Sequence, residues 1–494
     1  MSLAVLKFGG TSVGDARAMR QTVAVIREAA AQHERVVVVT SAMGKSSDPN
    51  DTVKVTDMLL NAARAAAAGD AEAYRRARRV LADKHHAAIE ALITLPQDRE
   101  RISAEVDDLL AGFEMLCASV RVLGEVTPRA LDTIAGLGER MAARILAGAL
   151  RSAGLPAEAL DATAFIITND RFQSAAPLME PTREKTRAHL LPLLERGVIP
   201  VVTGFIGATP NGIPTTLGRG GSDYSASIIA AALDADIVFN YTDVDGVLTA
   251  DPRIVPEART IEKLTAKEMS EMAYFGASVL HPLTIAPLIE KNIPLRVKNT
   301  FNPSHPGTLI IYSDAEGSDG AIKAVTAIKN VSMITVAGSG MKGVPGIAAR
   351  TFTAVARTGT SVFMISQASS EQNICFVIPR QAVSAVVDAL RREFETEIAH
   401  GEIDGVYSFD QASIITVVGA GIAETPGVSG RVFSALGAER INVFAIAQGS
   451  SECAISLIVA EDRCDDAVRA LHRLTESSSA FTLQREAASA SGTL

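Results

Sequence analysis

The chain has 494 residues, more than one hydrophobic core usually organises, so we expect several domains. Hydrophobic residues make up 47% and charged residues 21%, an ordinary composition for a globular protein. The formal net charge of −9 argues against nucleic acid or an anionic membrane as the main partner, but a locally basic pocket can still hold a small anion.

Cysteine usage and apolar runs restrict the class further. None of the four cysteines forms a C-x-x-C pair and no histidine stands at metal-ligand spacing to them, which argues against a disulfide framework or a zinc site. We see no signal peptide, and the longest apolar runs have the length of a strand. We therefore expect a cytoplasmic protein.

The first three hundred residues alternate short apolar runs with helical stretches rich in Ala, Leu, Arg and Glu. This alternation predicts an α/β layer architecture with a mainly parallel sheet. Residues 57–123 are predicted to form a helical insertion on that sheet. The predicted buried strands are residues 3–8, 35–43, 199–207 and 235–244.

The pattern changes after residue 300. Residues 302–320 are rich in Pro, Gly, Ser and Asp, which is typical of a linker. Residues 336–378 then recur as residues 417–459, offset by 81 positions without a gap. Each copy reads strand, loop, helix, strand, turn, strand, so we predict two small α+β units.

Three motifs are considered and set aside. GSGMKG (338–343) has the glycine spacing of a dinucleotide site, but the next strand carries no acidic residue for the ribose. GKS (44–46) resembles the end of a P-loop, but Val39 occupies the position of the required first glycine. For His85 and His86 we expect a solvated pair in a charged helix, not a metal site.

Three other segments suit phosphoryl transfer. KFGG places Lys7 at a strand end with two glycines behind it, which can be a plain strand terminus or a phosphate site. In TTLGRGGSDYSA (215–226), Ser222 or Asp223 can also serve simply as a helix N-cap. YTDVDGVLTADPR (241–253) follows a strand and is too polar for the core, with a plain surface loop as the alternative.

Together with GERMAARIL, VVTGFIG, FGASVLHP, VKNTFNP, SQASSE and AQGSSE, these segments closely resemble the aspartate kinases from end to end. The resemblance implies an amino-acid-kinase, carbamate-kinase-like three-layer αβα domain followed by two α+β ACT domains. The expected divisions are a catalytic domain at 1–301, a linker at 302–322, ACT domains at 323–405 and 406–480, and a C-terminal tail at 481–494.

The resemblance also implies an activity. It is the Mg²⁺-dependent transfer of phosphate from ATP to L-aspartate, giving 4-phospho-L-aspartate, the first step toward lysine, threonine and methionine. The carboxyl half looks most like the monofunctional threonine-responsive branch, so an amino-acid effector is expected, threonine in preference to lysine. Paired ACT units imply a homodimer or homotetramer.

Site residues follow by resemblance. Lys7 and Asp223 are the expected catalytic pair, and no residue is assigned as a dedicated metal ligand. The expected substrate-binding residues are Ser47, Glu139, Phe205, Arg219, Gly220, Gly221 and Ser222. The expected nucleotide-binding residues are Lys7, Gly9, Gly10, Thr242, Asp243, Leu248, Arg253, Ser278 and Val279. The expected effector-binding residues are Gln367, Asn373 and Gln448.

Charge explains two of these roles. Glu139 is expected to meet the substrate ammonium, with a solvated helix charge as the alternative, and Arg219 can bind a carboxylate bidentately.

In each repeat a glycine-rich loop is expected to lead into a helix whose first turn carries Pro345 or Pro426. Free N–H groups there suit an effector carboxylate, while the alternative is a tight turn only.

The chain departs from the family at two nucleotide-side positions, with Leu248 for a tyrosine and Ser278 for a lysine. A lost charge-assisted contact costs ~1.5–3 kcal/mol, or roughly ten- to a hundredfold in affinity. We expect an active enzyme with poorer ATP affinity, and a Ser278→Lys variant that binds nucleotide more tightly in titration.

Three competing interpretations stay open. The chain can be an amino-acid kinase acting on glutamate or carbamate, although those lack the double ACT tail. It can be a catalytically weak, effector-binding partner subunit, which Ser278 motivates and intact Lys7, Glu139, Arg219 and Asp223 oppose. It can also be an aspartate kinase of a specialised pathway.

Overall fold

The computed structural model describes residues 2–46, 51–274, 280, 282–312, 322–368, 370–422, 425–448 and 453–475. The chain divides into two compact units. The first comprises Met1–Val247, Thr260–Ala266 and Val279–Tyr312, and the second comprises Leu248–Arg259, Lys267–Ser278 and Ser313–Leu494.

The strands in chain order are β1 (Leu3–Phe8), β2 (Arg35–Thr40), β3 (Ala157–Leu160), β4 (Ile199–Thr203), β5 (Ile206–Ala208), β6 (Pro214–Thr216), β7 (Ile237–Thr242), β8 (Lys263–Thr265), β9 (Leu295–Asn299), β10 (Thr308–Ile311), β11 (Ala324–Ala337), β12 (Met364–Gln367), β13 (Asn373–Pro379), β14 (Gly405–Val418), β15 (Ala445–Ala447) and β16 (Ala454–Ala460).

The α-helices are α1 (Ala16–Gln32), α2 (Val55–Ala67), α3 (Ala71–Leu92), α4 (Pro96–Leu123), α5 (Pro128–Ala135), α6 (Leu137–Ser152), α7 (Met179–Glu195), α8 (Gly221–Leu233), α9 (Ala266–Tyr274), α10 (Pro282–Lys291), α11 (Ile347–Arg357), α12 (Val383–Glu393), α13 (Glu395–Ala399) and α14 (Val428–Ala438). Residues 464–475 are also helical.

The first unit is built on a sheet whose described strands run in the order β3-β4-β2-β1-β7-β9-β10-β8. From β3 to β9 every pairing is parallel, as the continuous apolar runs predict, because strands buried on both faces need no polar alternation. The pairing of β9 with β10 is antiparallel. The predicted α/β class with a mainly parallel sheet is confirmed.

Helices α2, α3 and α4 form the predicted helical insertion, and their apolar sides join the core of the first unit. Helix α6 is almost wholly buried, as expected of a helix enclosed by the sheet and the insertion. None of the helices in the described part of the chain combines the length and the apolar composition that crossing a bilayer requires.

The solvated histidine pair predicted in α3 is wrong for one of its members. His85 is fully buried, because it lies on the face of α3 that packs inward with Leu81 and Ile89. Its Nδ1 lies 2.6 Å from the Leu81 carbonyl oxygen, and no described residue hydrogen-bonds to Nε2. Burial lowers the pKa of His85 to about 4. His86, its neighbour, is partly exposed and contacts Asp107.

We expect His85 to make the protein acid-sensitive. Its folded pKa of about 4 lies below its ordinary value of 6.5, so its contribution to stability is present above pH 6.5 and is lost as the pH falls through 4. The whole loss amounts to about 3 kcal/mol. In urea unfolding between pH 7 and pH 4, a His85→Leu variant should show a shallower decline than wild type, whereas His86→Gln should keep the full decline. Equal slopes for wild type and His85→Leu would contradict this.

The second unit contains one sheet with the described strand order β12-β13-β11-β14-β16-β15. The first part of β11 (324–328) pairs with the second part of β14 (414–418), while residues 331–337 pair with 405–412. Each repeat therefore completes its sheet with a strand segment from beyond its own copy. The division expected between residues 405 and 406 falls within one sheet, because β14 pairs with β11 on both sides of its bulge.

The predicted strand–helix–strand–strand order of both repeats is confirmed. The expectation that Pro345 and Pro426 lie in the first helical turn is wrong, since α11 and α14 begin two residues later. Gly346 and Gly427 have φ values of +96° and +88°, a left-handed conformation that a right-handed helix cannot include. Each helix therefore starts only after its glycine.

Candidate functional site

A cavity of about 510 Å³ opens at the carboxyl ends of the central parallel strands of the first unit. Its walls come from the segments that follow β1, β2, β4 and β7 and from the starts of α2, α6 and α8. Ligands of open α/β sheets commonly bind at this edge. The sequence-predicted residues that line the cavity are Lys7, Gly9, Gly10, Glu139, Phe205, Gly220, Gly221, Ser222, Asp223, Thr242 and Asp243.

Lys7 provides the central cation of the cavity. It pairs with Val39 of β2 and Asn240 of β7 in the middle of the sheet and is only 8% exposed. Its Nζ lies 2.6 Å from Oδ1 of Asp223. A buried ammonium needs such a partner, because removing it from water is costly. The ion pair therefore holds the amine at the cavity wall.

Asp223 does not cap α8, so the N-cap alternative raised by the sequence for this residue is wrong. The N-cap is Gly220, whose φ of +70° suits glycine, and neither Ser222 nor Asp223 makes a capping hydrogen bond. Asp223 lies instead in the first turn of the helix, where its carboxylate faces Lys7. The first turn of α8 lines the cavity, and the positive end of a helix favours an anion.

Glu139 supplies the opposite charge. It lies in the first turn of α6, is 3% exposed, and accepts a 3.1 Å hydrogen bond at Oε1 from the Ala42 N–H. Its Oε2 is buried and lacks a hydrogen-bond donor among the described residues. Burial raises the pKa of Glu139 to about 7. The solvated-charge alternative is wrong, and the side chain is an unsatisfied acceptor on the cavity wall.

The end of β6, just before the loop that leads to α8, is held by a carboxylate that the sequence did not single out. Asp132 of α5 is 2% exposed and accepts hydrogen bonds from the Thr216 N–H (3.0 Å), the Thr216 hydroxyl (2.8 Å) and the Gln173 N–H (2.9 Å). Burial raises its pKa, opposed by these hydrogen bonds. Thr216 is two residues from Gly218 of the cavity wall, so Asp132 helps to shape that wall.

A second missed feature is the contact of Gly10 with Gly44. The Gly44 N–H donates a 2.9 Å hydrogen bond to the Gly10 carbonyl, so the loops after β1 and β2 touch backbone to backbone. No sequence rule links these two loops, although GKS (44–46) was noticed for another reason. Further lining residues that were missed are Thr11, Ser41, Ala42, Lys45, Lys54, Thr56 and Asp57.

We expect Gly44→Ala to damage the cavity. A Cβ at Gly44 would lie 2.6 Å from the Gly10 carbonyl carbon, and a backbone atom cannot move away as a flexible side chain can. Such overpacking costs roughly 1–3 kcal/mol. The melting temperature in thermal unfolding and the ligand affinity in titration should both fall. Gly112→Ala is the matched control, because its Cβ meets nothing within 4 Å in α4 and should stabilise the helix slightly. A Gly44→Ala protein with wild-type stability would refute the contact.

Three predicted residues lie elsewhere in the described structure. The Arg219 side chain is exposed and does not line the cavity, although its neighbours Gly218 and Gly220 do. Leu248 and Arg253 belong to the second unit, and the guanidinium of Arg253 is exposed and bonded to Asp251. Ser47, Ser278 and Val279 fall outside the described residues.

The second unit has a cavity of about 290 Å³ beside the glycine-rich loop of the first repeat. Gln367 and Glu371 line it together with Pro345 and Gly346, and the Gly343 N–H donates a 2.8 Å hydrogen bond to Glu371. Of the other two predicted effector residues, Asn373 is exposed at the start of β13 and does not line this cavity. Gln448 is exposed after β15, where part of the matching loop lies outside the described residues.

The arrangement in the first unit combines a cation, two glycine turns and a helix N-terminus with a buried carboxylate. The first three features favour a polyanion such as a phosphate chain, and the carboxylate favours a cationic group. In the ranges that the structure covers, no group of three or more His, Cys, Asp or Glu is arranged to hold a metal ion. The cavity is thus suited to an anionic ligand beside an ammonium.

Comparison with known families identifies two kinds of domain in the chain. Residues 2–299 match the amino acid kinase family, and residues 334–394 and 415–474 match an ACT domain. The bifunctional aspartokinase/homoserine dehydrogenase 1 of Arabidopsis thaliana chloroplasts is 37% identical over 480 residues, covering 95% of this chain and 51% of that protein. This chain thus spans about half the length of that relative.

Two aspartokinases match over most of their length. Aspartokinase 2 of Arabidopsis thaliana chloroplasts is 33% identical, covering 95% of this chain and 83% of that protein. E. coli aspartokinase III, in complex with aspartate and ADP (R-state), is 28% identical with a TM-score of 0.77, covering 96% of this chain and 99% of that one. Its complex with lysine and aspartate (T-state) gives 29% identity and a TM-score of 0.75, covering 95% and 99%.

Proposed function

Because this chain belongs to the amino acid kinase family and, within it, to the aspartokinases, we propose that it transfers the γ-phosphoryl group of ATP to the side-chain carboxylate of L-aspartate. The product is 4-phospho-L-aspartate, and the reaction is the first step toward lysine, threonine and methionine. The observation that carries this proposal is the ion pair of the buried Lys7 with Asp223 in the same cavity as the unsatisfied carboxylate of Glu139.

Electrostatics dominates the chemistry. The attacking carboxylate is already ionised at neutral pH, so no general base is required. The difficulty is to bring two anions together and to stabilise the charge on the transferring phosphoryl group. Lys7 neutralises phosphate charge, the turn at Gly9 and Gly10 lets the phosphate chain approach the backbone closely, and Asp223 holds the Lys7 amine in place. Thr242 and Asp243 line the nucleotide side, and we assign Leu248, Arg253, Ser278 and Val279 to the same side.

The amino-acid substrate carries both an ammonium and carboxylates, so its pocket must offer groups that favour each charge. Glu139 pairs with the ammonium group of aspartate, and the start of α8 with Gly220, Gly221 and Ser222 receives a carboxylate. Phe205 shapes the pocket from the loop after β4. Arg219 and Ser47 complete the set, Arg219 by turning its exposed side chain toward a bound carboxylate.

The oxygen donors of the cavity suit Mg²⁺ bound together with the nucleotide. Magnesium is usually held by one or two carboxylates together with substrate phosphates. Asp223 and Asp243 are carboxylates of this cavity and are the residues that would hold it. When bound, the ion neutralises phosphate charge.

We propose that the second unit makes the enzyme responsive to an end-product amino acid, with threonine favoured over lysine. The cavity beside Gln367 is supported as the effector site by its glycine-rich loop and by the ACT match. Gln448 and Asn373 are proposed to contribute, and the ACT domains to join chains into a homodimer or homotetramer. The catalytic domain is proposed at 1–301, followed by a linker at 302–322, ACT domains at 323–405 and 406–480, and a tail at 481–494.

The test is aspartyl-phosphate formation by the purified chain with Mg·ATP and L-aspartate, trapped with hydroxylamine, with and without threonine or lysine. Turnover with aspartate, but not with glutamate or carbamate, supports the proposed reaction. Suppression by threonine supports the proposed effector, and indifference to both amino acids contradicts it while leaving the kinase. Absence of turnover at saturating ATP would overturn the kinase proposal in favour of a regulatory partner subunit.

A further inference from the structure

The segment Leu248–Arg259 begins five residues after Asp243, which lines the cavity of the first unit, yet the segment belongs to the second unit. Ala250 and Val255 are buried in the same apolar cluster as Ile422 and Val428 of the second repeat. The segment is therefore part of the core of that repeat.

Thr249 makes the most specific contacts of this segment. Its carbonyl oxygen accepts a 2.8 Å hydrogen bond from the Val325 N–H of β11, and its N–H donates to the Arg259 carbonyl at 2.9 Å. Its hydroxyl oxygen accepts a 3.0 Å hydrogen bond from the Arg259 N–H and lies 2.9 Å from His472 Nε2. Thr249 is 7% exposed and His472 is 2% exposed, so water does not substitute for these partners.

A further contact comes from the same C-terminal helical stretch. Arg469 donates from Nε to the Ile254 carbonyl oxygen at 3.1 Å. Residues 464–475 thus hold the segment at two points, a buried one at His472 and an exposed one at Arg469. Apolar packing alone would not require the hydroxyl of Thr249, because valine has nearly the same shape.

We infer that Thr249 and His472 are positioning residues for the nucleoside triphosphate. They act through the chain that joins Thr249 to the nucleotide-side residues Thr242 and Asp243, and the inference rests on the proposed kinase function. Loss of the hydroxyl contact should weaken nucleotide binding and leave aspartate binding unchanged.

The experiment compares Thr249→Val, which removes the hydroxyl at constant volume, with Thr249→Ser, which keeps it. We expect Thr249→Val to raise KM for ATP about tenfold, as for one lost buried hydrogen bond, with KM for aspartate and kcat unchanged. Thr249→Ser should resemble wild type. Arg469→Met, at an exposed site, should raise KM for ATP to a smaller extent. Arg473→Met, an exposed arginine of the same helical stretch that pairs with Glu439, should change neither KM.

The outcomes separate the inference from the proposed function. If wild type is active and KM for ATP is unchanged in both Thr249→Val and Arg469→Met, the inference is overturned and the proposed function stands. The same conclusion follows if these variants lose melting temperature and kcat while KM for ATP and KM for aspartate are unchanged. If Thr249→Val does not fold, Arg469→Met decides. If wild type has no turnover, the proposed function fails, and titration of ADP into wild type and the variants decides the inference. The inference is overturned if wild type does not bind ADP, or if wild type and all the variants bind ADP with equal affinity.

Discussion

Replacing Lys7 with methionine is expected to abolish most of the phosphoryl transfer, with kcat falling by at least roughly 10²–10³-fold, as when an enzyme loses one preorganised donor to a developing charge. Methionine keeps the length and apolar stem of lysine and removes only the cation. Steady-state kinetics with the hydroxylamine assay measures the loss. Lys185→Met, at an exposed position on α7, is the matched control and should leave turnover unchanged.

The variant also leaves the Asp223 carboxylate without its 2.6 Å partner. Removing one member of a buried ion pair typically costs about 3–5 kcal/mol, so part of the lost activity could reflect unfolding. The double variant Lys7→Met/Asp223→Asn removes both charges and should recover most of the stability but none of the activity. Recovered turnover in the double variant, or normal turnover in the single one, would show that Lys7 has no role in catalysis.

Replacing Glu139 with glutamine is expected to weaken aspartate binding selectively. Losing one partner of a buried charge pair costs about 2–5 kcal/mol, or roughly thirtyfold and upward in affinity. KM for aspartate should rise by this factor while KM for ATP stays the same. Glu125→Gln, which removes the same charge at an exposed site, should change neither. A parallel rise in both KM values would contradict the assignment of the ammonium to Glu139.

The pH dependence provides an independent measurement on the same residue. Because the pKa of Glu139 is raised to about 7, the carboxyl must lose a proton to pair with an ammonium below that pH. The wild-type KM for aspartate should then rise about tenfold for each pH unit below 7, and the glutamine variant should lack this dependence. A flat wild-type profile would place the ammonium elsewhere.

The same shift predicts a stability change. The folded pKa of Glu139 lies above its ordinary value of 4.5, so its contribution is fully present below pH 4.5 and is lost as the pH rises through 7. The loss amounts to about 3 kcal/mol. The unfolding free energy of wild type minus that of Glu139→Gln should show this decline between pH 4.5 and pH 8, because the opposite contribution of His85 is common to both proteins. If Glu139→Gln is inactive while its free energy of unfolding depends less on pH than that of wild type, the function of the residue is separated from its effect on folding.

Several parts of the fold and site were accessible from the sequence because they depend on neighbouring residues. Continuous apolar runs such as residues 3–8 predict buried parallel strands, and the gapless 81-residue offset predicts two similar units. KFGG and GRGGSD are short segments in which charge, glycine and strand end lie side by side. The local pattern therefore suffices to nominate Lys7 as a phosphate-facing cation, while the order of the motifs along the chain carries the family resemblance, which implies the role of Asp223.

Other features depended on which distant segments meet. Gly10 and Gly44 touch across two loops, Asp132 bonds to Thr216 at the end of β6, 84 residues away, and His85 is buried although its neighbours are charged. The exposure of Arg219 is equally invisible in its motif. Periodicity cannot predict these contacts, because it indicates which face of an element is apolar but not what covers that face.

By itself, therefore, the sequence determined the α/β class, the two repeats and the cation at the end of the first strand, all of which arise from local patterns. The tertiary structure alone decided that Glu139 is buried with an unsatisfied oxygen, that β11 and β14 each serve both repeats, and that Thr249 bonds to His472. Burial and pairing between segments far apart in the chain are properties of the folded core, where desolvation and close packing act on residues that the sequence keeps separate.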